Sequence, residues 1–479
     1  MSTGIESFGA YIPITRLPHS VIAKKGVKAG GSEKAVAWAD EDAITMAVAA
    51  GANCLRDLDR SQIDILIFAS TSFSFAEKQG ASIVAKALDL GTNIKTVDIG
   101  GSLRAGTLAL QQAIDSVLAG SARKVLVLAA DCRMAPPHSS LETNLGDGAA
   151  AFLVGSDSVI AELQHSASHA NDMMDIWRRQ GDTFVHSWED RFVNLHGFQE
   201  TAQAAIASLF EQTGSTAADY TRVCLYAPDA RNHAGLAKSM GFATEQLQNP
   251  LFGQLGNTGT AFAPMQLIAA LQQAAQDDSI LVVNYGDGAD AISFKVLAPA
   301  TAYLPVRRGV DFHLKRRRII DSYDKYLSAR NLTPSEYPEL DDQGISATVQ
   351  FRNRDENLSL QGQVCNHCGT HQFPKGRVCV RCGTRDHWSA VTYAGMGARV
   401  LTYTFDAFYP SPEPPTVATL VEVTLADGSV GPRIHMQFAD ATASDMRTGL
   451  EVEFTLRVIH RAGKRPNYFW KCLPIGETA

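Results

Sequence analysis

Over residues 1 to about 300, short apolar runs alternate with Ala-rich stretches whose apolar positions recur at helical spacing. IDILIFAS (63–70) and KVLVLAAD (124–131) have strand length and branching, whereas ASIVAKALDL (81–90) and AGTLALQQAIDSVLAG (105–120) carry apolar residues three and four apart. The succession predicts βαβ units, a mostly parallel sheet and helices on its faces. The pattern also repeats. VLVLAA is followed by Gly146-Asp147-Gly148 and the run AAAFLV, and ILVVNY is followed by Gly286-Asp287-Gly288 and the run ADAISF. Each copy reads as strand, glycine turn, strand, so the body is expected to be two related halves packed as a pseudo-dimer. The same reading removes a false motif. Gly286-x-Gly288-x-x-Ala291 loosely fits a dinucleotide fingerprint, but that fingerprint needs a helix after the glycines to hold the pyrophosphate, and here a β-like run, ISFKV, follows.

From about 305 the sequence turns charged and Pro-containing, through RRGVDFHLKRRRIIDSYDKYLSARN and LTPSEYPELDDQG. Residues 306–355 read as a linker with one helix whose basic cluster, Lys315 to Arg318, forms a solvated face. Alternating strands punctuated by Asp-Gly and Gly-Pro turns follow from ARVLTYTFDAFY to NYFWKCL, and predict a small β-barrel over 391–479. The expected domains are thus 1–305, the linker 306–355, a metal ribbon 356–390, and the barrel 391–479.

Composition narrows the classes. The chain of 479 residues has a formal charge of −7 and no long basic block, which gives no electrostatic case for nucleic acid. No window approaches the roughly 20 apolar residues of a membrane span, and MSTGIESFGAYIP lacks the basic start and apolar core of a secretory signal. A cytoplasmic location is expected. Four of the eight cysteines, Cys54, Cys132, Cys224 and Cys472, are scattered in mainly apolar surroundings and read as small buried hydrophobes.

The other four form Cys365-x-x-Cys368 and Cys379-x-x-Cys382. Each pair sets two thiolates at one edge of a tetrahedron, and a hairpin between the pairs closes the cage around Zn²⁺. Gly369 and Gly383 follow the second Cys of each pair, where backbone amides must approach sulfur. Four thiolates leave no position for water, so the metal is expected to be structural.

Taken in order, SIVAKALDL, SLRAGTLAL, LGDGAAAFLVG, DIWRRQGDTFVHSWEDRF, GLAKSMGF, GNTGTAFAPMQLIAAL and NYGDGADAISF resemble the 3-hydroxy-3-methylglutaryl-CoA synthases, particularly the archaeal branch within the thiolase superfamily. The region from about 360 onward resembles the zinc-ribbon and OB-fold proteins that accompany such enzymes as acyl-CoA-binding partners. The resemblance implies an α/β body with the thiolase-like five-layer αβαβα sandwich of two halves, a homodimer or higher homo-oligomer, and substrates that are thioesters of coenzyme A or of an acyl carrier.

The family's cysteine, glutamate and histidine fall, by resemblance, on Leu103, Thr71 and Tyr226. A leucine forms no thioester, so acyl transfer through a cysteine at this spot is excluded in this register. Ser102, one residue away, reads either as a nucleophile or as a cap at the helix entrance. Asn257 matches a position that orients a thioester or enolate oxygen, and Tyr285 stands where thiolases place a second cysteine. Tyr226 and Tyr285 read either as hydroxyl donors to the substrate or as buried aromatics with satisfied hydroxyls. Asp229 and His233 lie near Tyr226, and His186 and Arg191 match a segment expected to organise the pocket wall.

Loss of the cysteine, together with resemblance to the cysteine-free steroid side-chain aldolases, leads to the expectation of a carbon–carbon lyase of the aldol or retro-aldol type. The alternatives are an acyltransferase or Claisen-condensing synthase, acting through Ser102 or on a non-covalently held acyl group, and a non-catalytic protein that binds acyl thioesters or a partner enzyme.

Overall fold

A computed structural model describes residues 2–23, 31–303, 306–333, 344, 346–409 and 411–475. Residues 334–343 of the segment LTPSEYPELDDQG lie outside them. The chain divides into two compact units, one of Met1–Ala37, Asp42–Ser82 and Gly91–Asp321, the other of Trp38–Glu41, Ile83–Leu90 and Ser322–Ala479.

The first unit is built on one nine-stranded sheet. Its strands are β1 (Gly4–Tyr11), β2 (Ile63–Ala69), β3 (Lys95–Ile99), β4 (Lys124–Asp131), β5 (Gly148–Gly155), β6 (Ala161–Ala170), β7 (Arg222–Leu225), β8 (Ser279–Tyr285) and β9 (Gly288–Val296). They lie in the order β7-β8-β9-β6-β1-β5-β4-β2-β3. The two halves share one neighbour order, β1-β5-β4-β2 against β6-β9-β8-β7, and meet where Gly4 and Ile5 pair with Glu162 and Ala161. The internal echo in the sequence is therefore a repeat in topology.

The sheet is not mostly parallel as expected. Only β2–β3, β2–β4 and β7–β8 pair in parallel. The strand–turn–strand units return the chain against itself, so β4–β5 and β8–β9 are antiparallel. What the apolar runs do report is burial on both faces. Along β8, Ile280 and Val282 enter one core and Leu281 and Val283 the other.

Helices α1 (Ala43–Cys54), α2 (Ala105–Leu118), α3 (Glu200–Thr213), α4 (Ala230–Ser239) and α5 (Phe262–Gln273) cover these faces. The central pair, α2 and the start of α5, approach closely because Gly106 has no side chain. A Cβ there would stand 2.1 Å from the Thr260 carbonyl oxygen. Cys54 and Cys224 are buried as expected, and burial pushes the Cys54 thiol up to about 12.

The predicted linker contains more than one helix: Val310–Lys315, Tyr323–Ala329 and Ala347–Ser359. Ser322 and Ser346 cap the last two, starts that the charge pattern obscured. Nor is the basic cluster simply solvated. Arg316 is buried with its guanidinium 5.6 Å from the centre of the Phe312 ring, and Arg317 pairs with Glu33 at 3.2 Å.

In the second unit, β10 (Gln361–Cys365), β11 (His371–Gln372) and β12 (Trp388–Thr392) form a small antiparallel sheet. It is followed by β13 (Gly397–Asp406), β14 (Thr416–Thr424), β15 (Val430–Gln437), β16 (Glu451–Ala462) and β17 (Arg465–Pro474), in the order β15-β14-β13-β16-β17. This sheet curls until its edges nearly meet, with Ala439 N–H donating to Cys472 O at 2.8 Å, and gives a near-closed barrel. Among the described residues no helix is long and apolar enough to cross a membrane.

Candidate active site and four-cysteine cluster

The turn before α2 is fixed by the end of β8. Asn284 Nδ2 donates to Leu103 O at 3.3 Å and to Thr107 Oγ1 at 3.2 Å, and Ser102 Oγ donates to Gly286 O at 2.8 Å. Glycine is required at 286, since a Cβ would lie 2.8 Å from Ser102 Oγ and 2.9 Å from Leu103 N. Ser102 is not the helix N-cap, which is Arg104. Its hydroxyl accepts from Arg104 N at 3.2 Å and so ties turn to loop. Among the described residues no His or carboxylate hydrogen-bonds to this hydroxyl, which leaves it without a base.

Leu103, half-buried, packs against a cluster that holds Tyr226, Tyr285 and Phe198. Tyr226 follows β7, its amide donating to Val283 O at 2.8 Å, and its ring centre lies 6.0 Å from that of Tyr285. Phe198 stands edge-on to Tyr285 at 5.5 Å. Gly197 leaves room for the tyrosine, as a Cβ there would lie 2.7 Å from Tyr285 Oη.

Asn257 sits beneath this pair. Its Oδ1 accepts from Arg133 Nη2 at 3.0 Å and Gly259 N at 2.9 Å, and its Nδ2 donates to Ala227 O at 3.1 Å. Burial raises the Tyr226 pKa, against the lowering effects of the Arg133 charge and the nearby Asn257 side chain. Burial, then the Asp175 carboxylate, raises that of Tyr285. Both tyrosines therefore stay protonated near neutrality and can act as hydrogen-bond donors. Tyr285 Oη makes no hydrogen bond of good geometry, although the carboxyl of Asp175 faces it, and the Asp175 pKa is itself raised by burial.

The remaining predicted residues have other tasks. Thr71 donates through its amide and hydroxyl to Asp131 at 2.8 and 3.0 Å, and Asp131 also accepts from Ser70, Ser72 and the Thr260 amide. Asp229 caps α4 through Asn232 N at 2.9 Å and binds Asn232 Nδ2 at 2.8 Å. His233 is buried on α4, and burial lowers its pKa, keeping the ring neutral. His186 pairs with Asp182 at 3.2 Å and stacks on Trp177, while Arg191 is exposed. The structure pairs His186 in register with Trp177, and it brings Arg133 to Asn257 and Asp175 to Tyr285, two residues that the sequence reading missed. Arg133 belongs to no recognisable motif, whereas Asp175 opens the segment DIWRRQGDTFVHSWEDRF, and each lies far along the chain from Tyr226 and Tyr285.

In the second unit the four sulfurs converge, all within 4.8 Å of one another. Cys365 to Cys382 is 3.7 Å and Cys368 to Cys379 is 3.6 Å. A tetrahedron with Zn–S of about 2.3 Å has edges of about 3.8 Å, so the donor set fits that ion. The two knuckles are built alike. Gly369 N donates to Cys365 O and Gly383 N to Cys379 O, at φ of +71° and +72°, and Thr370 and Thr384 hydroxyls lie 3.2 Å from the Cys368 and Cys382 sulfurs.

No family model matches the chain. The hydroxymethylglutaryl-CoA synthase of Methanosphaera stadtmanae is 32% identical over 305 residues, covering 61% of this chain and 88% of the relative. That of Aeropyrum pernix is 32% identical over 342 residues, covering 69% and 94%. A crystal structure of HMG-CoA synthase complexed with CoA superposes with a TM-score of 0.64 at 21% identity, covering 72% of this chain and 93% of the other. The first unit thus has the mixed α/β thiolase-like fold. These relatives are synthases, which overturns the expectation of an aldol-type lyase and favours the condensing alternative. By sequence and by the fold around Leu103, Tyr226, Asn257 and Tyr285, the chain belongs to the hydroxymethylglutaryl-CoA synthase family.

Proposed function

We propose that this protein is an acyl-thioester-dependent condensing enzyme of the synthase type that holds its acyl groups as thioesters of coenzyme A or a carrier, without an acyl-enzyme. The observation that supports this most is Leu103 at the entrance of α2, packed against the cluster that holds Tyr226 and Tyr285, in a member of a thioester-condensing family. With no thiol there, the carbon nucleophile must attack its electrophile directly while both are bound.

The residues present suit that reaction. Asp175, its pKa raised by burial, is the group placed to take a proton from the carbon next to a thioester. Tyr285 and Tyr226, held protonated, and Asn257 supply donors toward the enolate and the developing alkoxide oxygen. The four cysteines are read as a structural Zn²⁺ ribbon, and the near-closed barrel as an OB-fold module that handles the acyl-CoA. A homodimer is the expected assembly.

The test is incubation with acetyl-CoA and short 3-oxoacyl-CoA thioesters, followed by mass spectrometry of products and of the intact protein. A condensed product with unmodified protein is expected. A stable acyl adduct on the chain would remove the direct-attack mechanism, and thioester binding with no turnover would leave a binding protein.

A further inference from the structure

At the far end of the strands from the α2 entrance, a cavity of about 280 Å³ opens beside β1, the start of β4 and the loop between α1 and β2. Lys124 opens β4 and Asp131 closes it, so about 23 Å of strand separates this cavity from the reacting end of the sheet. Its wall is charged. Glu6 is the extra residue of a bulge in β1, where the pairing with β5 passes from Ile5 to Ser7, and its carboxylate accepts from Lys124 Nζ and from the Asp157 amide, each at 2.7 Å. Lys124 has Asp157 as a second partner at 3.1 Å, so the Lys124 and Glu6 charges match each other. Arg307 in the same wall is different. Its Nε donates to Ser7 Oγ at 3.1 Å, but its Nη1 is buried with no hydrogen-bond partner, and among the described residues no carboxylate lies at ion-pair distance from it. The charges of Asp57 and Arg56 act on it from farther away and with opposite sign.

A guanidinium cannot shed its proton to escape burial, so an idle buried N–H in a cavity wall calls for an acceptor from outside the chain. Planar, charged donors favour a carboxylate there. The other lining charges, Lys124 against Glu6 and the exposed Asp59, leave no second cation free for a doubly charged phosphate. Leu58 and Leu153 supply an apolar wall. The space equals that of roughly nine waters, which is small among ligand sites and far below what coenzyme A needs. We infer that this cavity binds a short-chain monocarboxylate, its head group on Arg307 and its hydrocarbon tail against Leu58 and Leu153. The site is separate from the tyrosine cluster and does not depend on the acyl-thioester reading.

The test measures binding of butyrate, butyramide and inorganic phosphate to the full chain by calorimetry, with and without saturating coenzyme A. Butyrate is expected to bind at least about tenfold tighter than its uncharged amide, a ratio typical of a hydrogen bond to a charged group. Coenzyme A should leave that affinity unchanged. Arg307→Met should bring butyrate down to the affinity of butyramide. Leu58→Trp, which fills the cavity from a half-buried loop position, should abolish butyrate binding and serves where Arg307→Met does not fold. Equal affinities for butyrate and butyramide, or no binding of butyrate, would mean that the cavity holds only water and would overturn the inference. Tighter binding of phosphate than of butyrate, displacement of butyrate by coenzyme A, or a preference that survives in both variants would also overturn it.

Discussion

Ser102 Oγ donates to the Gly286 carbonyl at 2.8 Å, joining the turn before the central helix of the first half to the hairpin turn of the second. The serine next to the key position is thereby a tie between the two halves. Ser102→Ala removes one partly buried hydrogen bond and is expected to cost about 1 kcal/mol in a urea titration. Turnover should stay within a few-fold of the unaltered protein. A fall of about a thousandfold with native stability would instead make Ser102 the nucleophile.

Leu103 gives a gain-of-function test. Leu103→Cys sets a thiol at the entrance of α2, where the helix dipole favours the thiolate. The variant is expected to alkylate with iodoacetamide faster than the buried Cys54 and Cys224, and to show an acyl-sized mass increase after incubation with acetyl-CoA. An inert thiol at 103 would show that the register relative to the family's cysteine is wrong.

The Asp175 carboxyl makes the chemistry and the stability depend on pH in a defined direction. Burial raises its pKa in the folded chain, so the base is unmasked only above the ordinary carboxylate range, and the acid limb of turnover should lie there. The same burial means that folding favours the protonated form, and the ionised group costs stability as pH rises through its folded pKa. Asp175→Asn should therefore abolish the acid limb together with turnover. It should also raise the melting temperature at pH 8 and leave it nearly unchanged at pH 3, by differential scanning calorimetry.

Tyr285→Phe is expected to lower turnover by about a hundredfold or more, the usual cost of losing one donor to a developing oxyanion. Stability should hold, because Tyr285 Oη makes no well-formed protein hydrogen bond whose loss would be felt. Full turnover in the phenylalanine variant would remove Tyr285 from the mechanism.

Gly106→Ala tests the packing of the central helices. The added methyl would meet Thr260 O, a backbone atom that cannot swing aside, and Pro264 Cγ at 3.1 Å. A loss of roughly 2–3 kcal/mol is expected in chemical denaturation, in line with overpacked cores. A neutral result would mean that the two helices lie farther apart.

Metal analysis of the purified chain should give one Zn²⁺ per protein, and Cys368→Ser should lose most of it. Treatment with a strong chelator should unfold the 361–392 sheet, read as lost amide protection in Gln361–Cys365 and Trp388–Thr392, because metal binding supplies much of such a fold's stability. Unchanged protection after complete metal removal would contradict a structural metal.

Local chemistry wrote its results directly into the sequence. The two Cys-x-x-Cys knuckles converge as their spacing implies, since two residues between thiols already set one edge of a tetrahedron. Strands such as Ile63–Ala69 and Lys124–Asp131, and the repeat of strand, glycine turn and strand, were equally legible, because alternation and turn freedom act over a few residues. The family resemblance carried the body, and Leu103 in the place of a cysteine was visible from one motif.

Tertiary structure decided the rest. Whether neighbouring strands run parallel depends on which chain segments meet, and continuous apolar runs report burial on two faces but not direction. Thr71, at the position of the family's glutamate, is held by Asp131, a partner sixty residues away that only the folded chain reveals. Arg133 carries no sequence signal, and the raised pKa of Asp175 was not legible in the family segment it opens, because the burial of a charge is a property of what surrounds it. The amino-acid order sets the local geometry of turns, knuckles and amphipathic stretches, whereas desolvation and the meeting of residues a hundred positions apart exist only after the sheet has closed around them.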